Sequence, residues 1–111
     1  MTPEGKVKVW LVNQFERKYG QGIWSYAPPG GMFGQAGQAD RFFLIYGVFI
    51  VIEVKQDSGK LTDLQMHRMR KAAAAGAVSA SMIGKDYNKL AKIFAEIDRR
   101  IEFNKALFDG V

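Results

Sequence analysis

The sequence predicts a layered α/β domain of the α+β type, a mixed sheet flanked by helices, and three features of its 111 residues carry that prediction. Two apolar stretches, 41–46 and 48–55, meet at Gly47. Amphipathic segments with recognisable end signals lie on either side of them, and a Gly/Pro-rich loop precedes them. The predicted order is helix, three strands, helix, strand, helix. With 48% hydrophobic and 24% charged residues, the chain has the composition of one globular domain spanning 1–111, large enough to bury a core.

Thr2 suits a helix cap, Pro3 the first helical position and Glu4 the first turn. Val7, Leu11 and Phe15 then recur on one face, so a helix is expected from Pro3 to Tyr19, stopped by Gly20 and Gly22. Ile23 to Ala27 reads as a short strand, and Pro28-Pro29-Gly30-Gly31 through Gly37 as a loop long enough to be functional. The hairpin follows, Arg41 to Tyr46 and Val48 to Lys55. Because both faces of each strand are apolar, the pair is expected to be central and covered by helices on both sides. Asp57-Ser58-Gly59-Lys60 is a turn, and Thr62-Asp63-Leu64-Gln65 has the spacing of a capping box opening a second helix that runs to Gly76. Ala77 to Ile83 returns as a strand. Asp86 opens a third helix with Tyr87, Leu90, Phe94, Ile97 and Ile101 in one stripe.

Composition excludes some chemistry at once. There is no cysteine, so disulfides, thiolate zinc sites and thiol redox chemistry are out. The start lacks the basic-then-apolar pattern of a signal peptide, and the run from Phe42 to Val54 is too short to span a bilayer. The expected location is the cytoplasm of a bacterial or phage-infected host, or the nucleus in a eukaryote. The formal charge of +5 suits a polyanionic partner. From Lys60 to Lys71 there are four cations, Lys60, Arg68, Arg70 and Lys71, against Asp63 alone. That segment is the candidate DNA-phosphate surface, its bland alternative being a solvated helix face.

Three Glu-x-Lys triplets occur, at Glu4-Gly5-Lys6, Glu16-Arg17-Lys18 and Glu53-Val54-Lys55. The first two fall in a predicted helix, where residues two apart point in different directions. The third falls in a strand, where Glu53 and Lys55 share a face. A carboxylate and an ammonium at the end of an apolar strand are costly unless paired or bound to something, so they form either a salt bridge reaching solvent or a site. Asp40, which begins the preceding strand, is equidistant from the Gly47 turn and is expected beside Glu53. Two carboxylates and a lysine would then converge, with Gly37 leaving room for a substrate, and clustered carboxylate oxygens are what a hard cation such as Mg²⁺ requires. Glu4 lines up with Val7, Leu11 and Phe15 and is expected on the buried stripe. Gln65 lines up with Leu61, Met69 and Ala72 on the inward face of the second helix, although its place in the capping box also accounts for it.

Taken together, an N-terminal helical Glu4, Gly37-Gln38-Ala39-Asp40 after a glycine-rich loop, the strand ending Ile52-Glu53-Val54-Lys55, and Gly59-Lys60-Leu61-Thr62 with Gln65 resemble the VRR-NUC family. These are the virus-type replication-repair nucleases of the PD-(D/E)XK superfamily. The likeness runs from Thr2 to about Ile83; where the family commonly carries Pro before its catalytic Asp, this chain has Ala39. The resemblance implies a restriction-endonuclease-like αβββαβ core with a C-terminal helix, and metal-dependent hydrolysis of branched or flapped DNA in repair and recombination. It also implies site roles: Asp40, Glu53, the Val54 carbonyl and, through water, Glu4 for Mg²⁺ or Mn²⁺; Lys55 for the attacking water; Gln65 to steady Lys55 or that water.

Other signals are set aside. His67, the sole histidine, falls on the helix face opposite Gln65. The aromatic set Phe42, Phe43, Tyr46 and Phe49 is read as core rather than as a base-stacking platform. Ile101, Phe103, Leu107 and Phe108 are more large apolar residues than a solvated tail carries, which predicts a homo-oligomer, a dimer placing two sites on two strands; folding back on their own core is the alternative. The rival to a nuclease is a non-catalytic DNA-binding or assembly subunit that keeps the fold.

Overall fold

A computed structural model describes residues 1–20, 23–28 and 41–109, the side chains of 108 and 109 excepted. The elements are α1 (Pro3–Tyr19), β1 (Trp24–Tyr26), β2 (Arg41–Ile45), β3 (Val48–Lys55), α2 (Asp63–Ala74), β4 (Val78–Ile83) and α3 (Tyr87–Asp109). This is the predicted order, and each helix start has its predicted cap. The Thr2 hydroxyl accepts from the Gly5 N–H, Thr62 and Gln65 form a reciprocal capping box, and the Asp86 carboxylate accepts from the Lys89 N–H. No described helix is long and apolar enough to cross a membrane.

The sheet order is β1-β2-β3-β4, antiparallel across the first two pairs and parallel across β3 and β4. Tyr46 and Gly47 close the β2–β3 hairpin with φ of 46° and 79°, the left-handed conformation at both central positions that a tight I′ turn demands. The parallel pair needs a crossover, and α2 supplies it.

Strand periodicity divides the sheet into two faces. Phe43, Ile45, Val48, Ile50, Ile52, Val54, Val78 and Met82 point to one face, where Val7, Trp10, Leu11 and Phe15 of α1 and Leu90, Ile93, Ile97 and Ile101 of α3 cover them. The rings of Phe15 and Phe43 stack 4.0 Å apart at its centre. The opposite face is only partly covered, which corrects the expectation of helices over both sides of the hairpin. There α2 packs Ala72 against Val51 and Ala77 and buries Met69, but Leu44 remains 44% and Phe49 41% exposed. A helix of 12 residues is about 18 Å long and about 10 Å wide. Tethered as the β3–β4 crossover, it covers those two strands and leaves β1 and β2 open.

Candidate active site on the open sheet face

Glu53 and Lys55 lie on this second face, at the C-terminal end of β3, as period-2 geometry requires. Among the described residues Glu53 is the one charged side chain that is buried, at 2% exposure. Taking a carboxylate out of water costs several kcal/mol unless it is paired and hydrogen-bonded. Two neighbours provide that here. The Lys55 ammonium lies 3.7 Å from Glu53 Oε1, and the Gln65 side-chain amide donates to the same oxygen at 2.6 Å. Gln65 therefore has two tasks: its Oε1 accepts from the Thr62 N–H at 2.9 Å while its amide nitrogen reaches Glu53. The capping box fixes the residue at the start of α2, and the docking of α2 on β3 aims it. The described contact of Gln65 is with Glu53, not with Lys55.

Gly59 acts on the other member of the pair. A Cβ at this position would stand 2.8 Å from Lys55 Cβ and 3.1 Å from the Gln56 carbonyl, so only glycine lets the turn close against the lysine stem. The Gly59 N–H donates to the Gln56 carbonyl at 2.8 Å, which fixes that approach.

The remaining predicted residues divide clearly. Val54 buries its side chain in the main core, which leaves only its backbone carbonyl for the role that the sequence implies. Glu4 is half-exposed in the first turn of α1, 3.5 Å from Lys8, and α1 packs on the opposite face of the sheet from Glu53. The expectation of a buried Glu4 is thus corrected: its position begins the apolar stripe, but its carboxylate pairs with the part-exposed Lys8 instead of entering the core that buries Val7. Lys60, Arg70 and Lys71 are exposed and Arg68 half-buried, all on or just before α2. His67 is exposed. Asp40 and Gly37 lie outside the described residues.

Sequence reading missed one feature of this face. Phe43 is core, but Trp24, Tyr26 and Phe49 are 50%, 43% and 41% exposed, and Tyr46 is 64% exposed. Assigning the whole aromatic set to the core is therefore corrected. The signal was present in the alternation Trp24-Ser25-Tyr26, which puts both rings on one face of a strand.

The donor set available to a metal is oxygen-only. Among the described residues no group of three or more acidic, histidine or cysteine side chains could hold an ion, and Glu53 offers one carboxylate. One carboxylate with room for several waters is compatible with a hard cation such as Mg²⁺, which is commonly held by one or two carboxylates.

No protein-family model and no curated protein matches the sequence. Among solved structures the chain is similar to a "VRR_NUC domain protein", with a TM-score of 0.62, 17% identity, and coverage of 86% of this chain and 88% of that one. At this identity the likeness shows a shared fold, a mixed four-stranded sheet with three helices.

Proposed function

We propose that this chain is a metal-dependent DNA endonuclease of the VRR-NUC type that acts on branched or flapped DNA. The observation that carries the reading is the buried Glu53 carboxylate held by Gln65 and Lys55 beside an open sheet face. A position that served only stability would be filled more cheaply by an apolar side chain of similar volume. The fold shared with the VRR_NUC domain protein supports the same reading.

In this reading Asp40 and Glu53, with the Val54 carbonyl, hold Mg²⁺, and Mn²⁺ can replace it. Asp40 directly precedes Arg41, whose cross-strand partner is Ile52, the residue before Glu53. That register favours the two acids meeting. Such a cation supplies charge neutralisation and an acidified water when bound. Lys55 orients or deprotonates the attacking water and balances charge developing on the phosphate. Gln65 holds the Glu53 carboxylate in place. Lys60, Arg68, Arg70 and Lys71 take the DNA backbone, a task suited to the α2 surface because phosphate contacts position a duplex without reading its sequence.

The test is cleavage of labelled duplex, flap and four-way-junction DNA in Mg²⁺, Mn²⁺ or EDTA. Cleavage with either metal, none with EDTA and none by Asp40→Asn are expected. DNA bound without cleavage in every metal would instead mark a DNA-binding subunit that keeps the fold.

A further inference from the structure

The strand register maps the open face as rows of side chains. Trp24, Leu44 and Phe49 form one row; Tyr26, Phe42, Val51 and Ser79 the next; Glu53 and Ser81 follow; then Lys55 and Ile83. Adjacent strands are about 4.8 Å apart and alternate residues about 6.8 Å, so Tyr26 stands roughly 12 Å from Glu53 across the face. The rings form a continuous band: Trp24 and Tyr26 are stacked at 6.0 Å and 22°, Tyr26 and Phe42 follow at 6.3 Å, and Phe42 and Phe49 at 5.4 Å.

We propose that Trp24 and Tyr26, with Phe42 between them and the site, form a platform on which unpaired bases of the DNA substrate stack. The inference rests on the nuclease reading and specifies its substrate as one with a single-stranded segment beside the cut. Three observations favour bases over a protein partner. The band is continuous with the row carrying Glu53, on the same face. Its border on the α2 side carries a cation, the half-buried Arg68, which is three residues from Gln65 and four from Ala72, on the side of α2 turned to the sheet. The exposed area is also too small for a stable protein interface. Away from the hairpin end, the three side chains about half exposed, Trp24, Tyr26 and Leu44, offer on the order of 300 Å², against about 800 Å² on each partner in a standard interface. Aromatic faces beside cations are what single-strand binding uses, because every base presents a ring to stack.

The experiment measures binding of a twelve-residue oligo(dT) and of blunt duplex in EDTA, following tryptophan emission. Trp10 is buried, so the change on binding reports Trp24. Quenching by oligo(dT) is expected. Trp24→Leu and Tyr26→Leu should each weaken oligo(dT) binding by about 5- to 150-fold, the range for one lost stacking contact, and weaken duplex binding less. Trp24→Phe, which keeps a ring, should restore most of the affinity. Oligo(dT) affinity unchanged by Trp24→Leu overturns the platform, as does a fall in oligomeric mass in that variant, which would make the face a protein interface. Because binding is read without metal, the two readings fail separately. Cleavage of DNA with no stacking loss overturns the platform alone, whereas stacking without cleavage of any DNA supports the platform and overturns the nuclease.

Discussion

The Gln65 side-chain amide ties the first turn of α2 to the buried carboxylate of Glu53 on β3, with 2.6 Å between its nitrogen and Glu53 Oε1. One residue thereby couples helix capping to the candidate site, and its two tasks separate by substitution. Gln65→Glu keeps an acceptor for the Thr62 N–H, as capping boxes ordinarily do, but sets a second carboxylate against Glu53. Cleavage should fall at least tenfold, and rise again with higher metal concentration as the added charge is neutralised. Gln65→Ala loses both bonds and should also lower stability by about 1 kcal/mol through the cap. A Gln65→Glu variant with wild-type cleavage would mean that the residue serves the helix alone.

Gly59 makes a second, independent test of the pair. Since an added methyl would meet Lys55 Cβ at 2.8 Å, and a Cβ cannot swing aside as a side-chain end can, Gly59→Ala must move either the turn or the lysine. Turnover should drop by one to two orders of magnitude, because displacement of a catalytic group by about 1 Å costs about 100-fold. DNA affinity should stay near wild type, since the exposed cations of α2 are untouched. Kinetics with kcat and KM resolved separately would check this; a raised KM with unchanged kcat would place Gly59 in substrate binding instead.

The helices and strands were legible because their ends carry chemical signals: Thr2 before Pro3, the Thr62 to Gln65 capping box, and Gly47 between two apolar runs. The pairing of Glu53 with Lys55 was legible for the same local reason, strand period. What was hidden depended on tertiary docking. Phe42, Leu44 and Phe49 have the apolarity of doubly covered strands, yet the face they share has one short helix, held over β3 and β4 by its own connections. Ile101 was grouped with the C-terminal apolar residues but is 6% exposed in the main core, since α3 carries the stripe of Leu90 and Ile97 one turn further. The link from Gln65 to Glu53 was hidden too, because a capping box accounts for the residue without any partner outside its helix.

Acid should loosen one corner of the fold. Hydrogen bonds from Arg99 and then Arg100 hold the Glu96 carboxyl down to about 2 from its ordinary 4.5, and Arg100 Nη1 also donates to the Gly76 carbonyl at 2.6 Å, fastening α3 to the end of α2. With the folded value below the unfolded one, the contribution is complete above about pH 4.5 and disappears as pH falls through about 2. Melting temperatures of wild type and Glu96→Gln should therefore differ at pH 6 and converge near pH 2. The cluster is on the surface, so 1 M salt should shrink the difference at pH 6. A gap that persists at pH 2 would assign the effect to packing rather than charge.

The proposed dimer rests on the other end of the molecule. Phe103 and Leu107, four residues apart on α3 and so on one side of it, are 67% and 57% exposed. Beside Phe103 runs a groove of about 620 Å³, with Phe49, Ala72, Ala75 and Asn104 among its walls. A two-fold axis here would let each copy set its α3 against the groove of the other at the hairpin end of the sheet, and because Phe49 stands two rows from Glu53, both sites would stay open to DNA. Light scattering at micromolar concentration should give twice the 12.4 kDa chain mass. Phe103→Asp and Leu107→Asp should each return the monomer, convert paired incision of a four-way junction into single nicks, and leave flap cleavage within about threefold of wild type, since neither residue touches the Glu53 row. A wild-type monomer both free and on junction DNA would remove the dimer and the paired incision together. The single-site reaction would stand, because Glu53, Lys55 and Gln65 all belong to one chain.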